Sequence, residues 1–336
     1  MILWSALTGQ RFSQSRLVAA INCSSRSRGV KPPQTKALTG QRTPKSLEPP
    51  KRMFIIRKAV SEDFDLVYPL LSGFGEAPIA KEQWKKIFVP PWKTPEDFCG
   101  YLLLRDGEVK GYLGLVFSER MLNGQAEKFC NLTSWIVQED SRSESLKLLL
   151  EVLKLKDYTV TNFTASPTVA TIMNKIGFTE FAVHQRVLLP LPAFGFTRGR
   201  RCEFDEGAIR SKLSGEELRI FDDHRELGCR HLLLQSERGD CYVVLKNTVR
   251  KHLPWARVHH LSNAAVFHEC MESLVVRVCL RLRVWGVMVD ERYVEGYRFR
   301  ASVSYPHQRR AYFKSKSVVD KNLIDTLYSE VVILHD

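Results

Sequence analysis

The segment Val137–Leu150, VQEDSRSESLKLLL, decides how the first half of this chain is read. An apolar run with strand character, CNLTSWIV (Cys130–Val137), leads into it, and a Leu-rich run with helical spacing leads out. Polar residues of the kind that cap helices fill the joint. A strand that turns directly into a helix N-terminus presents outward backbone amides and the positive end of the helix dipole, which is one way to hold a phosphate. Glycine is the usual residue at such a turn because it lets an anion approach the backbone. Here the corresponding residues are serines. Ser141 and Glu144 also have capping-box spacing, which by itself accounts for a capped helix with no ligand.

The elements on either side are regular. FIIRKA (Phe54–Ala59) reads as a strand, and two helical segments follow, at Ser61–Phe74 and Lys81–Phe88. YLLLRDGEVKGYLGLVF (Tyr101–Phe117) reads as two strands around an Asp-Gly turn, and KFCNLTSWIVQ (Lys128–Gln138) as another strand. A helix is expected over 143–156, then a strand at Tyr158–Phe163. The next helix is capped by Ser166, has Pro167 at its first position and stops at Gly177. Phe178–Leu189 is expected to close the unit as a strand. The fold class is therefore α/β, a central mixed sheet flanked by helices.

The second half echoes this pattern. HLLLQSERGDCYVVLK (His231–Lys246) parallels the first hairpin, with Tyr242 standing 130 residues after Tyr112. MESL (Met271–Leu274) parallels SESL (Ser143–Leu146), with Glu272 standing 128 residues after Glu144. Two matches at nearly one offset point to a repeated unit. The organisation expected is a leader over 1–52, a first domain over 53–189, a linker over 190–201 and a second, degenerate domain over 202–336. Val319–Leu334 reads as a closing helix and strand.

The net charge of +13 is concentrated in the leader. Residues 1–52 hold ten Lys/Arg and one acidic residue, leaving only +4 for the rest of the 336-residue chain. Nucleic acid is thereby an unlikely partner for the folded body, with Ser304–Phe313 as its best candidate surface. The leader repeats ALTGQR at Ala6–Arg11 and Ala37–Arg42 and reads as disordered, or as an over-extended start before Met53, rather than as a transit peptide. The eight cysteines form no CxxC pair and read as buried free thiols. With no apolar run near ~18 residues, no membrane span is expected. A cytoplasmic location follows as the expectation. His259, His260 and His268 have no metal-ligand spacing.

The first half resembles the GNAT superfamily of acyl-CoA-dependent N-acetyltransferases, and two motifs carry the likeness. The family's strand–turn–helix, roughly V-x-P-x-x-R-G-x-G-x-G, is matched here by Val137 and Arg142, with Ser143, Ser145 and Lys147 at the glycine positions. The family's N-x-x-A-x-x-L-Y-x-K-x-G-F is matched by Lys175, Gly177 and Phe178, with Ser166 in place of Asn and Met173 in place of Tyr.

The resemblance implies two tandem GNAT-like domains and acetyl-CoA or another acyl-CoA as co-substrate. Its pyrophosphate would lie on Arg142, Ser143, Ser145 and Lys147. Its pantetheine arm and thioester would lie along the free amides of Trp135, Ile136 and Val137, where the family's fourth strand splays from its fifth. Because Met173 cannot donate a proton, Tyr158 and Ser166 are the candidate acids and Glu127 the candidate base. The acceptor expected is a small-molecule or protein amine, and Trp84, Trp92 and Phe74 would line its pocket or fill the core. The function implied is acyl transfer to that amine. The alternative is a non-catalytic acyl-CoA-binding or scaffold protein that has lost the motif's glycines and tyrosine.

Overall fold

The computed structural model describes residues 53–73, 79–181, 184–191, 199–306, 310–318 and 320–334. The leader, Phe74 and most of the linker lie outside these.

The Asp-Gly turn forms as expected. Asp106 and Gly107 have φ of 54° and 84° and join strands β2 (Gly100–Arg105) and β3 (Glu108–Leu122). A second such turn, Asn123-Gly124 at φ 51° and 80°, joins β3 to β4 (Gln125–Val137). The Asn-Gly pair extends both strands beyond the sequence expectation, which ended β3 at Phe117 and began β4 at Lys128. Strand β1 (Phe54–Ala59) pairs with β2, and helices α1 (Phe64–Leu71) and α2 (Lys81–Phe88) connect them. Helix α3 (Ser145–Val152) links β4 to the parallel strand β5 (Tyr158–Ala165), and α4 (Pro167–Lys175) leads to β6 (Thr179–Phe181). Ser166 caps α4 by accepting from Val169 N at 3.3 Å, and Gly177 follows at φ 77°.

The remaining elements are β7 (His184–Leu188), β8 (Arg201–Glu203), α5 (Glu206–Lys212), α6 (Gly215–His224), β9 (Arg230–Ser236), β10 (Gly239–Arg250), β11 (Leu253–Leu261), α7 (Ala264–Leu282), β12 (Val287–Asp290), β13 (Ser302–Pro306), β14 (Arg310–Lys314) and α8 (Glu330–Leu334). They complete two seven-stranded mixed sheets, β1-β2-β3-β4-β5-β14-β6 and β8-β9-β10-β11-β12-β7-β13. The two orders correspond strand for strand.

The halves exchange strands. Phe178–Leu189 does not close the first sheet as one strand: β6 stays in it, while β7 pairs with β12 and β13 in the second. The place left beside β5 is taken by β14, from the end of the chain. Val319–Leu334 does not end in a strand either. It forms a short 3-10 turn and α8, whose Val331–Leu334 are buried between the sheets. Both halves hold this segment: Lys246 Nζ donates to Val332 O at 2.6 Å, and Gln83 Nε2 to Ile333 O at 3.5 Å.

The cores follow the layers. Leu148, Leu149 and Val152 of α3 join Ala170 and Met173 of α4 on one face of the first sheet. The other face packs α1, α2 with its Trp84, and Trp92 from the segment after α2, together with Ile209, Phe221 and Tyr242 of the second half and Val332 of α8. Helix α7 covers the second sheet. Cys99, Cys130, Cys202, Cys229, Cys241, Cys270 and Cys279 are all buried and free, and burial pushes the Cys99 thiol up to about 12. No described helix is long and apolar enough to cross a membrane.

Gly100 is where the first hairpin closes most tightly. A Cβ there would lie 2.5 Å from Leu113 O and 2.6 Å from the Tyr112 ring, whose hydroxyl is bonded to Cys99 O. Gly100→Ala is expected to destabilise the protein by about 1–3 kcal/mol, read as a lower midpoint at unchanged slope in urea unfolding.

Candidate functional site: a fork between two parallel strands

Strands β4 and β5 pair over four positions only, from Lys128↔Tyr158 to Asn131↔Thr161. Beyond Asn131 they diverge. β4 stays with β3 as far as Val137↔Gly111, and β5 takes β14 on its far edge. The two edges that face each other across the gap therefore carry backbone N–H and C=O groups with no strand partner, open to an extended ligand.

A bulge shapes the β4 arm. Thr133 pairs with Gly114 and Ile136 with Tyr112, so Ser134 and Trp135 stand together against Leu113. Ser134 has φ 47°, a conformation that strains a non-glycine residue and concentrates at functional sites. Trp135 and Val137 pack toward α3 and α4, and Ile136 toward the opposite face. The buried Trp135 Nε1 has no acceptor among the described residues. An open edge and an orphaned buried donor fit an extended, amide-bearing chain such as pantetheine.

The base of the fork holds a carboxylate that the sequence reading did not single out. Asn131 donates from Nδ2 to Thr161 Oγ1 at 3.1 Å, and its Oδ1 accepts from Glu330 N at 3.3 Å. Thr164 Oγ1, on the β5 arm, donates to Glu330 Oε1 at 2.8 Å. Glu330 is 3% exposed. It arrives from the far end of the chain, so no local spacing marks it.

The turn after Val137 differs from the expectation. Glu139–Glu144 is a 3-10 helix, and α3 begins only at Ser145. The Ser141–Glu144 capping box does not form: Ser141 is buried and its hydroxyl donates to Asp140 Oδ1 at 2.9 Å. Asp140 is ion-paired with Arg105, which holds its carboxyl below the usual range. The Ser145 amide is taken by Arg142 O, and Lys147 pairs with Glu144. This closed turn does not fit an amide cradle of the glycine-loop kind. What it offers an anion is side chains: exposed Arg142, which has no ion pair among the described residues, Lys147, and the hydroxyls of Ser143 and Ser145.

The three expected proton carriers are not brought together. Glu127 lies toward the β3–β4 turn, opposite Arg120, and accepts from Ser317 Oγ at 2.7 Å. It is four residues before Asn131, about 13 Å along the strand. Tyr158 starts β5 opposite Lys128, and its hydroxyl donates to Glu96 at 2.7 Å. Burial, then that hydrogen bond, push its phenol well above the ordinary value. Ser166 alone stands at the open end, just past the tip of the β5 arm. Met173 is fully buried under α4.

The second half repeats the fork without a basic, phosphate-holding turn after its first arm. β11 and β12 pair only at Ala256↔Val287 and Arg257↔Met288. The following turn is filled by its own caps: Asn263 Oδ1 accepts from Val266 N, and Ser262 Oγ from Tyr242 N. His259 Nδ1 meets Thr326 Oγ1, His268 Nε2 meets Arg298 O, and no metal-ligating cluster occurs among the described residues.

The parallel fork, bulge and crossover helix define the class of fold, and comparison with solved structures agrees. The chain has the fold of the GCN5-related N-acetyltransferases. It superposes on one from Anabaena variabilis ATCC 29413 with a TM-score of 0.53 at 11% identity, over 78% of this chain and 72% of that one. For one from Kribbella flavida the TM-score is 0.52 at 12% identity, over 78% and 71%. A probable N-acyltransferase from Enterococcus faecalis V583 gives 0.50 at 11%, over 77% and 72%. No protein-family model and no curated protein matches the sequence.

Proposed function

We propose that this protein transfers an acyl group, acetyl in the simplest case, from acyl-CoA to an amine. The observation that carries this is the β4–β5 fork with Glu330 at its base. The pantetheine arm would add to the open edge of β4, with a free N–H of Trp135–Val137 polarising the thioester carbonyl. The amine nitrogen attacks that carbonyl, the N–C bond forms and the C–S bond breaks. The proton leaving the amine passes to the Glu330 carboxylate. Glu330 takes this role in place of Glu127, which lies at the other end of the strand pairing. The thiolate leaves as a weak base, its thiol having an ordinary pKa of about 8.5. Solvent returns a proton to it, directly or relayed through the Ser166 hydroxyl, whose proton is not used in capping and is replaced from solvent in the same step. Tyr158, tied to Glu96 below the fork, is the weaker candidate acid. The acceptor amine belongs to a small molecule or a protein, and the buried free thiols suit the cytoplasm.

The pyrophosphate would be held by Arg142, Lys147, Ser143 and Ser145 at the mouth. Because Arg142 is exposed, its contribution is screened by salt. Arg142→Ala is expected to raise KM for acetyl-CoA about tenfold, with kcat nearly unchanged and a flatter dependence of KM on ionic strength. Steady-state kinetics at low and high salt check this.

Titration of the full chain with acetyl-CoA by calorimetry, followed by assay of thiol release over a panel of primary amines, tests the reading as a whole. No binding of acetyl-CoA would sink it. A second reading is a non-catalytic acyl-CoA-binding or scaffold protein, favoured by the closed turn and by Met173. Binding without thiol release for any amine would select it.

A further inference from the structure

A small cavity of about 20 Å³ lies between the two halves, walled by Phe163, Arg257, Asp290, Tyr293, Ala311 and Thr326. It has room for a group of about water size, such as one end of a carboxylate. It joins the two forks. Arg257 is the last residue of β11 paired with β12, and Phe163 lies on the β5 arm beside Thr164, the residue that holds Glu330.

The charges around the cavity do not cancel. Arg257 is only partly exposed, and its side chain makes no hydrogen bond or ion pair with any described residue. Burial pushes its guanidinium below the ordinary value, and Arg250 adds to the push while Asp290 opposes it. Asp290 is already committed to Arg292, accepting at 2.7 Å from Nη2 and at 3.1 Å from Nε. Arg250 donates to the Tyr305 hydroxyl, a neutral partner. The wall therefore holds one guanidinium in excess. Tyr293 adds a hydroxyl with no hydrogen bond among the described residues, and burial keeps that phenol protonated and able to donate. A guanidinium partly withdrawn from water without a counter-charge costs stability, and such a cost is retained where an anionic ligand supplies the charge.

We infer that this cavity receives the carboxylate of the acyl acceptor, so that the amine acylated at the fork belongs to a small amino acid. The inference rests on the acyl-transfer reading and names its substrate class. Bound by Arg257 and Tyr293, the carboxylate would leave the amino group directed past Phe163 toward Glu330. The carbon chain between the two groups then acts as the ruler that selects the acceptor.

The test is calorimetry of the full chain, with and without acetyl-CoA, against glycine, β-alanine and γ-aminobutyrate. Methylamine, ethylamine and propylamine serve as partners lacking the carboxylate. One amino acid is expected to bind at least about tenfold more tightly than its matched amine, since a partly buried charged donor is left unpaired by the amine. Arg257→Met keeps the packing of the stem and removes the charge. It is expected to abolish that preference, to leave acetyl-CoA binding unchanged and not to lower the melting temperature. Arg257→Lys, which keeps the charge, guards against misfolding and should retain part of the preference. Equal binding of amino acids and amines to the wild type, or a preference that survives in Arg257→Met, overturns the inference. Sodium acetate that binds as tightly as any amino acid also overturns it, leaving only a simple anion site. Acyl transfer to amines with no such preference sinks the inference and spares the transfer reading. Preferential amino-acid binding without transfer does the reverse.

Discussion

Glu330→Gln is expected to lower kcat for acyl transfer by about 10²–10³-fold while leaving KM for acetyl-CoA within about twofold. Glutamine has the same shape, and its carbonyl can still accept from Thr164, so the fork should keep its geometry. What it cannot do is take a proton from the attacking amine. The loss should therefore depend on the acceptor. With benzylamine, which is strongly basic, it should be full. With aniline, whose nitrogen is already neutral near neutral pH, it should shrink by about an order of magnitude, because less of the barrier lies in the proton transfer. A purely structural role for Glu330 would slow both acceptors alike. Unchanged kcat in Glu330→Gln, or equal losses on the two amines, would remove Glu330 from the mechanism. A melting curve of the variant, expected to lie close to that of the wild type, shows whether the comparison is of folded proteins.

The route to Glu330 shows which parts of this site can be read along the chain. The Asp106-Gly107 turn and the Ser166-Pro167 helix start are local choices of backbone angle, written in two or three adjacent residues, and both form as read. The divergence of β4 from β5 follows from the family resemblance, and their pairing ends at Asn131, before Trp135–Val137. Ser134 went unmarked because a bulge arises from the register of two strands against each other, and nothing about a serine announces a positive φ. The 3-10 turn is hidden in the sequence because Ser141 and Glu144 satisfy a local rule, while the partner of Asp140 is Arg105, at the end of strand β2. The exchange of β7 and β14 is further from view. Each is only five residues long, and which sheet accepts it is settled by partners about a hundred residues away or more.

The same long reach makes the C-terminal segment the weak point of the fold, and the ion pair between Arg120 and Asp325 is where it can be broken. Arg120 stands on β3 and Asp325 five residues before Glu330. Arg120 donates from Nη1 and Nη2 to the two carboxylate oxygens at 2.8 and 2.5 Å, with side chains 9% and 10% exposed. Asp325 Oδ1 also accepts from Leu327 N at 2.9 Å, which turns the chain toward Glu330. His260 lies 4.0 Å away, but burial pushes its pKa down to about 4, so it is neutral near neutral pH and Arg120 is the cation that Asp325 balances. Asp325→Ala should therefore cost about 3–5 kcal/mol, most of it from leaving Arg120 buried without a counter-charge. Replacing both members, as in Arg120→Met with Asp325→Leu, should recover most of that loss, since a buried pair exchanged for apolar side chains is close to neutral in stability. Urea unfolding of the two single variants and the double variant measures the coupling directly. Activity should not follow stability. The double variant should fold yet transfer slowly, because the Leu327 turn loses its acceptor and Glu330 is no longer held against Thr164. A double variant with both wild-type stability and wild-type kcat would show that the pair braces the fold without setting the fork.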